Sequence, residues 1–213
     1  MNYGIIGFSG RMGQEIHKLF QEKNYNLVFS YDENGEKFIS KPDILIDFSL
    51  PNVLNKTIEY ALKFNVPIVI GTTGYSDEEL KKIKELSSKI PVFQSYNFSI
   101  GIQLLLKCID LVKKFTNDWD IEIEETHHRF KKDKPSGTAI MLKNRLNKEV
   151  NISSLRLGNV VGDHKVIFAS LGEIVTLQHT AISRRTFAEG VLMASEFLIN
   201  QTVGFYNFSD IIK

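Results

Sequence analysis

The first hundred residues alternate between short apolar runs and stretches with helical spacing, and this alternation narrows the possible folds more than any other feature. The runs are Tyr3–Ile6, Leu27–Tyr31, Ile44–Asp47, Pro67–Gly71 and Pro91–Gln94. Between them, Met12 to Lys23 sets Met12, Ile16, Leu19 and Phe20 at helical spacing, and a second helix is expected over 52–64. Ser76-Asp-Glu-Glu79 has the capping-box pattern that opens a third. Strands with no polar alternation are buried on both faces, with helices as the cover, so the expected fold is α/β with a parallel sheet.

The second half reads differently. After a helix over about 102–115, Trp119 to Glu125 alternates with period two, apolar on one face and acidic on the other. Val160-Val161, Val166–Ala169 and Ile174–His179 read as further strands, the last two joined as a hairpin through Leu171-Gly172-Glu173. A helix is expected over 183–200. This half is therefore expected to be α+β on an antiparallel or mixed sheet, starting near Asn97–Gly101. A chain of 213 residues, 43% of them hydrophobic, can bury the cores of two small domains. A net charge of +1 gives no global field to draw it onto nucleic acid or an anionic membrane. No run of about 18 apolar residues spans a bilayer. The lone cysteine, Cys108, lies in the apolar run Ile102–Val112 and is expected to be a buried structural thiol. With no disulfide partner and no leader-like start, the chain is expected in the cytoplasm.

Gly7, Phe8, Ser9, Gly10, Arg11, Met12 and Gly13 separate the first strand from the first helix. Glycines there allow a tight turn and close approach of a phosphate, and the helix behind supplies free amides and a positive dipole end. Taken alone, Gly-x-x-Gly-x-x-Gly suits a structural turn as well. Asp32 closes the second strand where a ribose acceptor belongs, although Asp32-Glu-Asn-Gly35 is also a turn sequence. No Lys or Arg immediately follows Asp32, which favours NADH over NADPH; Arg11 would be the residue to assist a 2′-phosphate. The Gly-Lys-[Ser/Thr] of an ATP-binding loop is missing. Gly71, Thr72, Thr73 and Gly74, and Ser95, Tyr96, Asn97 and Phe98, follow other strands and would line the same crevice at the carboxyl edge of the sheet.

The segment from His127 to Thr138 carries the most chemistry. It gathers His127, His128, Arg129, Lys131, Lys132 and Lys134, then starts a helix through Pro135, Ser136, Gly137 and Thr138. An exposed basic loop is the ordinary reading of such a run. Here the loop leaves a half-buried strand and ends at a helix N-terminus, where the Gly137 and Thr138 amides can take an anion beside nearby cations. That arrangement suits a small carboxylate substrate and a proton donor. Adjacent histidines on a strand point to opposite faces, so His127 and His128 cannot readily share one ion and no metal site is expected. His17 reads as a surface or packing residue.

These motifs closely resemble the dihydrodipicolinate reductase family of NAD(P)H-dependent enzymes in the diaminopimelate–lysine pathway. The resemblance runs nearly end to end, through 7–13, Ile46-Asp-Phe-Ser49, Gly71–Gly74, Asn97–Gly101, Glu125–Ala139, Ser183–Gly190 and Gly204-Phe-Tyr206. It implies reduction of 4-hydroxy-tetrahydrodipicolinate by NADH or NADPH, with His127 and Lys131 handling the proton and His128, Gly137 and Thr138 binding the dicarboxylate. It further implies that Gly7 to Met12, Asp32, Gly71 to Thr73 and Ser95 to Phe98 contact the cofactor. It implies a Rossmann-like dinucleotide-binding domain over 1–98 and 184–213, and a substrate-binding and oligomerisation domain over 99–183 whose sheet assembles a homotetramer. Phe130 and Val175-Thr176 depart from the family pattern, and the chain is short for it. Two rivals are carried alongside: an amino-acid semialdehyde dehydrogenase, which would turn over an aldehyde, and a regulator that binds NADH without oxidising it.

Overall fold

The computed structural model describes residues 1–212; Lys213, the last residue of the expected C-terminal segment, lies outside the described residues. It divides into two compact units, Met1–Phe98 with the chain from Phe187 onward, and Ser99–Thr186.

In the first unit the apolar runs become β1 (Asn2–Ile6), β2 (Asn26–Asp32), β4 (Ile44–Asp47), β5 (Ile68–Ile70) and β6 (Pro91–Gln94), after β3 (Gly35–Phe38) has been inserted between β2 and β4. With a last strand, β11 (Gly204–Tyr206), they make one sheet in the order β11-β6-β5-β4-β1-β2-β3. Alternate residues of the central strands enter two different cores. Tyr3, Ile5, Ile46, Val69 and Phe93 pack with Ile16, Leu19 and Phe20 of α1 (Arg11–Glu22) and Ala188 and Val191 of α6 (Arg185–Leu198). Ile6, Leu45, Ile68, Ile70 and Val92 pack with Leu54, Tyr60 and Phe64 of α2 (Leu54–Phe64) and Ile83 and Leu86 of α3 (Asp77–Leu86). Each fully buried side chain of this size contributes about 1.5–3 kcal/mol, which is why these strands carry no polar alternation. Ser76 caps α3 with Glu79 reciprocating, the expected capping box.

The sheet is not wholly parallel as expected. Gly35, at φ +98°, turns the chain back and β3 pairs antiparallel with β2, Asp32 opposite Gly35. All four β3 residues are exposed, so no apolar run announces the strand; a short, exposed, charged edge suits a sheet margin. Chain order runs outward from β1 in both directions, towards β2 and β3 on one side and β4, β5, β6 and β11 on the other. The topological switch therefore lies between β1 and β4, where α/β sheets bind their ligands.

The second unit holds α4 (Ile100–Val112), β7 (Asp120–His127), α5 (Gly137–Leu146), β8 (Asn151–Arg156), β9 (Gly162–Ala169) and β10 (Ile174–Ala181). Its sheet runs β10-β9-β7-β8, with β7 and β8 parallel and the other pairs antiparallel, the mixed sheet expected. Ile102, Leu105 and Ile109 of α4 and Ala139, Leu142 and Leu146 of α5 cover Ile123, Val166 and Phe168. Two expectations are corrected. Val160-Val161 is loop rather than strand; the strand is the preceding β8, whose alternating Asn-Ile-Ser-Ser-Leu-Arg is too polar to read as one. Cys108 is exposed, not buried, because it lies on the side of α4 that carries the exposed Leu104 and Leu111, opposite the face directed at the sheet. Apart from the side bearing Gln103, Lys107 and Asp110 the run is apolar, over an arc wider than the buried face, so its composition does not say which part of that arc is buried.

Candidate active site

At the carboxyl edge of the first unit's sheet, Gly7 leaves β1 at φ +84° and donates its N–H to Tyr31 O at 2.8 Å. Only glycine adopts that conformation without strain. Gly13 opens the helix just as tightly: a Cβ there would stand 2.3 Å from Gly7 O and 2.7 Å from Phe8 O. Gly10 is the N-cap of α1 and makes no side-chain cap, so no cap competes for the first amides of the helix. Ser9, Gly10 and Arg11 are exposed, while the half-buried Phe8 and Met12 pack on the core. A tight glycine loop running into an uncapped helix N-terminus can hold an anion.

Asp32, half-buried at the end of β2, accepts from Asn34 N at 2.8 Å through Oδ1, so its turn role is real. Gly71 follows β5 and donates to Asp47 O; Thr72 is buried and Thr73 exposed. Ser95 Oγ donates to Asn97 O at 2.8 Å, Tyr96 is exposed, and Asn97 is buried. Phe98 belongs to the core, packed on Phe48, Phe93 and Phe208. A residue the sequence did not single out ties these loops together. Asp47, fully buried, accepts from Ser49 N and Ser49 Oγ, from Thr57 Oγ1 and Thr72 Oγ1 at 3.1 Å, and from Tyr75 OH at 3.4 Å. Burial pushes its carboxyl up, against the opposing hydrogen bonds from Ser49, Thr57 and Thr72. An acid ending an otherwise apolar strand is the signal that marks it.

In the second unit, β7 delivers its last residues into a buried charged cluster. Asp120, Glu122 and Glu124 share one face, whereas Glu125 falls with Ile121, Ile123 and His127 on the other and is fully buried. The expected division into an apolar and an acidic face thus breaks at Glu125, because two consecutive glutamates cannot both face solvent on a pleated strand. Arg156, at the end of β8, grips Glu125 with both terminal nitrogens, Nη1 to Oε2 at 2.9 Å and Nη2 to Oε1 at 2.8 Å. His127 Nδ1 lies 2.5 Å from Glu125 Oε2, and Ser136 N donates to Oε1 at 3.2 Å. Burial alone would raise the Glu125 carboxyl, but bonds from Arg156, Ser154 and His127 outweigh it and hold it at about 2.

Burial likewise lowers His127, against the pull of Glu125 and reinforced by the charges of Lys131 and Arg156. His164, on β9, stands edge-on to His127 with ring centroids 5.0 Å apart and reaches Ser136 Oγ at 3.3 Å. Its desolvation, with His127 alongside, takes it down to about 3. Lys131 Nζ pairs with Asp133 Oδ1 at 2.9 Å, and Lys131 N closes a turn onto His128 O. The loop is pinned at Leu157 N to His127 O, Arg129 N to Gly158 O, and Arg156 Nη2 to Asp133 O. Ser136 caps α5 through Ala139 N, leaving Gly137 exposed and Thr138 buried in its first turn. His128 is half-buried, and Arg129, Phe130, Lys132 and Lys134 are exposed. Among the described residues no group of three or more His, Cys, Asp or Glu could hold a metal. A buried imidazole tied to an ionised carboxylate, an ammonium on the same loop and a helix N-terminus can bind an anion and move a proton.

Comparison with known proteins decides the family. The model described as dihydrodipicolinate reductase, N-terminus, matches residues 1–98, and that described as dihydrodipicolinate reductase, C-terminus, matches 101–212. The chain belongs to the dihydrodipicolinate reductase family. It is 48% identical over 213 residues to a 4-hydroxy-tetrahydrodipicolinate reductase of Thermosipho africanus, covering 100% of this chain and 98% of the relative. A solved dipicolinate-bound dihydrodipicolinate reductase from Paenisporosarcina sp. TG-14 superposes with a TM-score of 0.77 at 27% identity, covering 100% of this chain and 99% of that one. An aspartate semialdehyde dehydrogenase II from Vibrio cholerae, at TM-score 0.60 and 12% identity over 94% of this chain and 98% of that one, shares the fold alone. As a dihydrodipicolinate reductase the chain is an oxidoreductase that uses a pyridine nucleotide. No helix among the described residues is long and apolar enough to cross a membrane.

Proposed function

We propose that this chain reduces 4-hydroxy-tetrahydrodipicolinate to tetrahydrodipicolinate on the way to diaminopimelate and lysine, with His127 and Lys131 supplying the proton. The observation that carries the reading is the buried His127–Glu125–Arg156 cluster at the ends of β7 and β8, where the loop that bears Lys131 and runs into the α5 N-terminus begins. Loss of the 4-hydroxyl as water leaves an unsaturated cyclic dicarboxylate. A dihydronicotinamide held there would supply the hydride for one carbon of the double bond, leaving the neighbouring carbon to take a proton. Lys131 and His127 deliver that proton. His128 and the Gly137 and Thr138 amides hold a substrate carboxylate, and the substrate's negative charge favours the protonated form of a histidine that burial keeps neutral. Positioning and proton delivery of this kind are each worth orders of magnitude in rate.

The loop from Gly7 to Met12 and the α1 amides would hold the pyrophosphate, Asp32 the adenosine ribose, and Gly71–Thr73 with Ser95–Phe98 the rest of the cofactor. Asp32 without an adjacent base favours NADH, since a carboxylate repels a 2′-phosphate. The protein works as a homotetramer assembled on the open face of the second unit's sheet, in the cytoplasm, where a single unpaired thiol is at home. Steady-state assays with freshly synthesised cyclic substrate test the reading. NADH oxidation with a lower KM than for NADPH is expected, together with no turnover of aspartate semialdehyde. Turnover of the aldehyde alone, or cofactor binding without oxidation, would return the assignment to a rival.

A further inference from the structure

The geometry points to a second function for the buried pair Glu125–Arg156: it sets which nitrogen of His127 carries the mobile proton and how tightly that proton is held. Glu125 lies away from solvent and Arg156 is half-buried beside it, and neither belongs to the anion-binding amides of α5. Besides bonding each other and, on β8, Ser154 and the Leu155 carbonyl, the two reach His127 at the end of β7, Ser136 N and the Asp133 carbonyl, the frame of the loop on which the proposed chemistry rests. Any buried ion pair needs further hydrogen bonds; what singles this one out is that one of them goes to the imidazole.

The inference follows from donor and acceptor counts. An ionised carboxylate only accepts, so the 2.5 Å contact requires that His127 Nδ1 bear a hydrogen and donate it to Glu125 Oε2. The neutral ring then keeps its lone pair on Nε2, and the proton it gains or gives is always the Nε2 proton. Arg156 does the complementary work. A buried carboxylate without a counter-charge would bind the imidazolium firmly and keep its proton; two charge-assisted bonds from Arg156 offset that charge and let the proton go. The groups facing His127 are Glu125 on its own strand, Arg156 on β8, His164 on β9 and Lys131 on the loop, and His164, buried edge-on, adds no charge of its own at neutral pH. Ser136 completes the frame: its N–H fixes Glu125 Oε1 and its Oγ meets His164, so the start of α5 and the imidazole are held by one carboxylate.

The pair is a positioning device, and it rests on the reading that His127 handles the proton. Two measurements on the full-length protein test it. Nitrogen-15 NMR of histidine-labelled wild-type protein should show neutral His127 with its hydrogen on Nδ1; a hydrogen on Nε2 overturns the inference without any variant. In steady state, Glu125→Gln should lower kcat about 100-fold, the scale of lost general acid catalysis, with substrate KM within about threefold. Its kcat should decline with rising pH at a lower pH than in the wild type, because the carboxylate that favoured the imidazolium is gone. Arg156→Met should move the same decline to higher pH, because that carboxylate is left uncompensated. A purely structural pair would not shift the two profiles in opposite directions. If His127→Ala loses rate while Glu125→Gln keeps the wild-type rate and profile, the inference alone fails; if His127→Ala keeps full rate, the proton role of His127 falls and takes the inference with it.

Discussion

Gly13→Ala sets helix propensity against the geometry of the cofactor loop. In a helix interior alanine is favoured over glycine by about 1 kcal/mol, so propensity alone predicts a more stable protein. Here the added Cβ would lie 2.3 Å from Gly7 O, 2.7 Å from Phe8 O and 2.9 Å from Phe8 Cα. All three are backbone atoms, so no side chain can rotate out of the way. Forcing a group into packing this tight costs about 1–3 kcal/mol, and a backbone that is also held from Gly7 N to Tyr31 O puts the cost at the upper end. The expected balance is a loss of about 1–2 kcal/mol, which for a protein of this size lowers Tm by about 2–8 °C. The shift moves the loop proposed to hold the pyrophosphate, so KM for NADH should rise at least tenfold, about 1.4 kcal/mol of binding. Differential scanning fluorimetry and an NADH titration at saturating substrate read both numbers. Gly137→Ala, whose Cβ meets nothing within 4 Å, is the control and should leave Tm unchanged or slightly higher. A more stable Gly13→Ala protein with KM within twofold of wild type would refute the reasoning.

Other expectations follow from single groups. His164, with its value taken from 6.5 to about 3, binds its proton in the unfolded chain first. Its contribution to stability is therefore whole above pH 6.5 and lost as pH falls towards 3, with a slope near 1.4 kcal/mol per pH unit at most, and His164→Gln should flatten urea-denaturation midpoints between pH 6 and 4.5. Glu125, lowered from 4.5 to about 2, adds a second loss only below pH 4.5, which carrying the titration below that pH should show in both proteins. Asp47→Ala strands the donors of Ser49, Thr57 and Thr72 and should destabilise by about 2–4 kcal/mol in urea melts, where a change below 0.5 kcal/mol would remove Asp47 as the tie between those loops. Cys108 should react with a thiol reagent at one equivalent per native chain; labelling that needs denaturant would contradict its exposed position.

The parts of the fold legible from sequence are those where burial leaves a single reading. β1, β4 and β5 are buried on both faces, so, the strand-end Asp47 apart, their buried residues carry no polar side chain beyond the Tyr3 hydroxyl, and the Ser76–Glu79 cap is local chemistry. β3 is exposed throughout, β8 alternates with polar residues at a sheet edge, and β11 is three residues long, so none carries enough pattern to separate it from loop. Cys108 shows the same limit in a helix: an apolar arc wider than the buried face does not disclose which part of it is buried. In the candidate site, the loop residues His127, Lys131, Gly137 and Thr138 stand in one stretch of chain and were readable together. Their supports were not, because Arg156 and His164 come from β8 and β9 and meet Glu125 and His127 only through strand pairing. Glu125 itself was within reach, since one of two adjacent glutamates on a pleated strand has to point inwards.

The most direct test of the account is the rate of NADH oxidation with freshly made 4-hydroxy-tetrahydrodipicolinate, compared at saturating substrate and cofactor between wild type, Lys131→Ala and His127→Ala. The account predicts that each variant binds NADH as the wild type does and loses about 100-fold or more in kcat, the range of a lost proton donor. Wild-type turnover no faster than that of Lys131→Ala would contradict it.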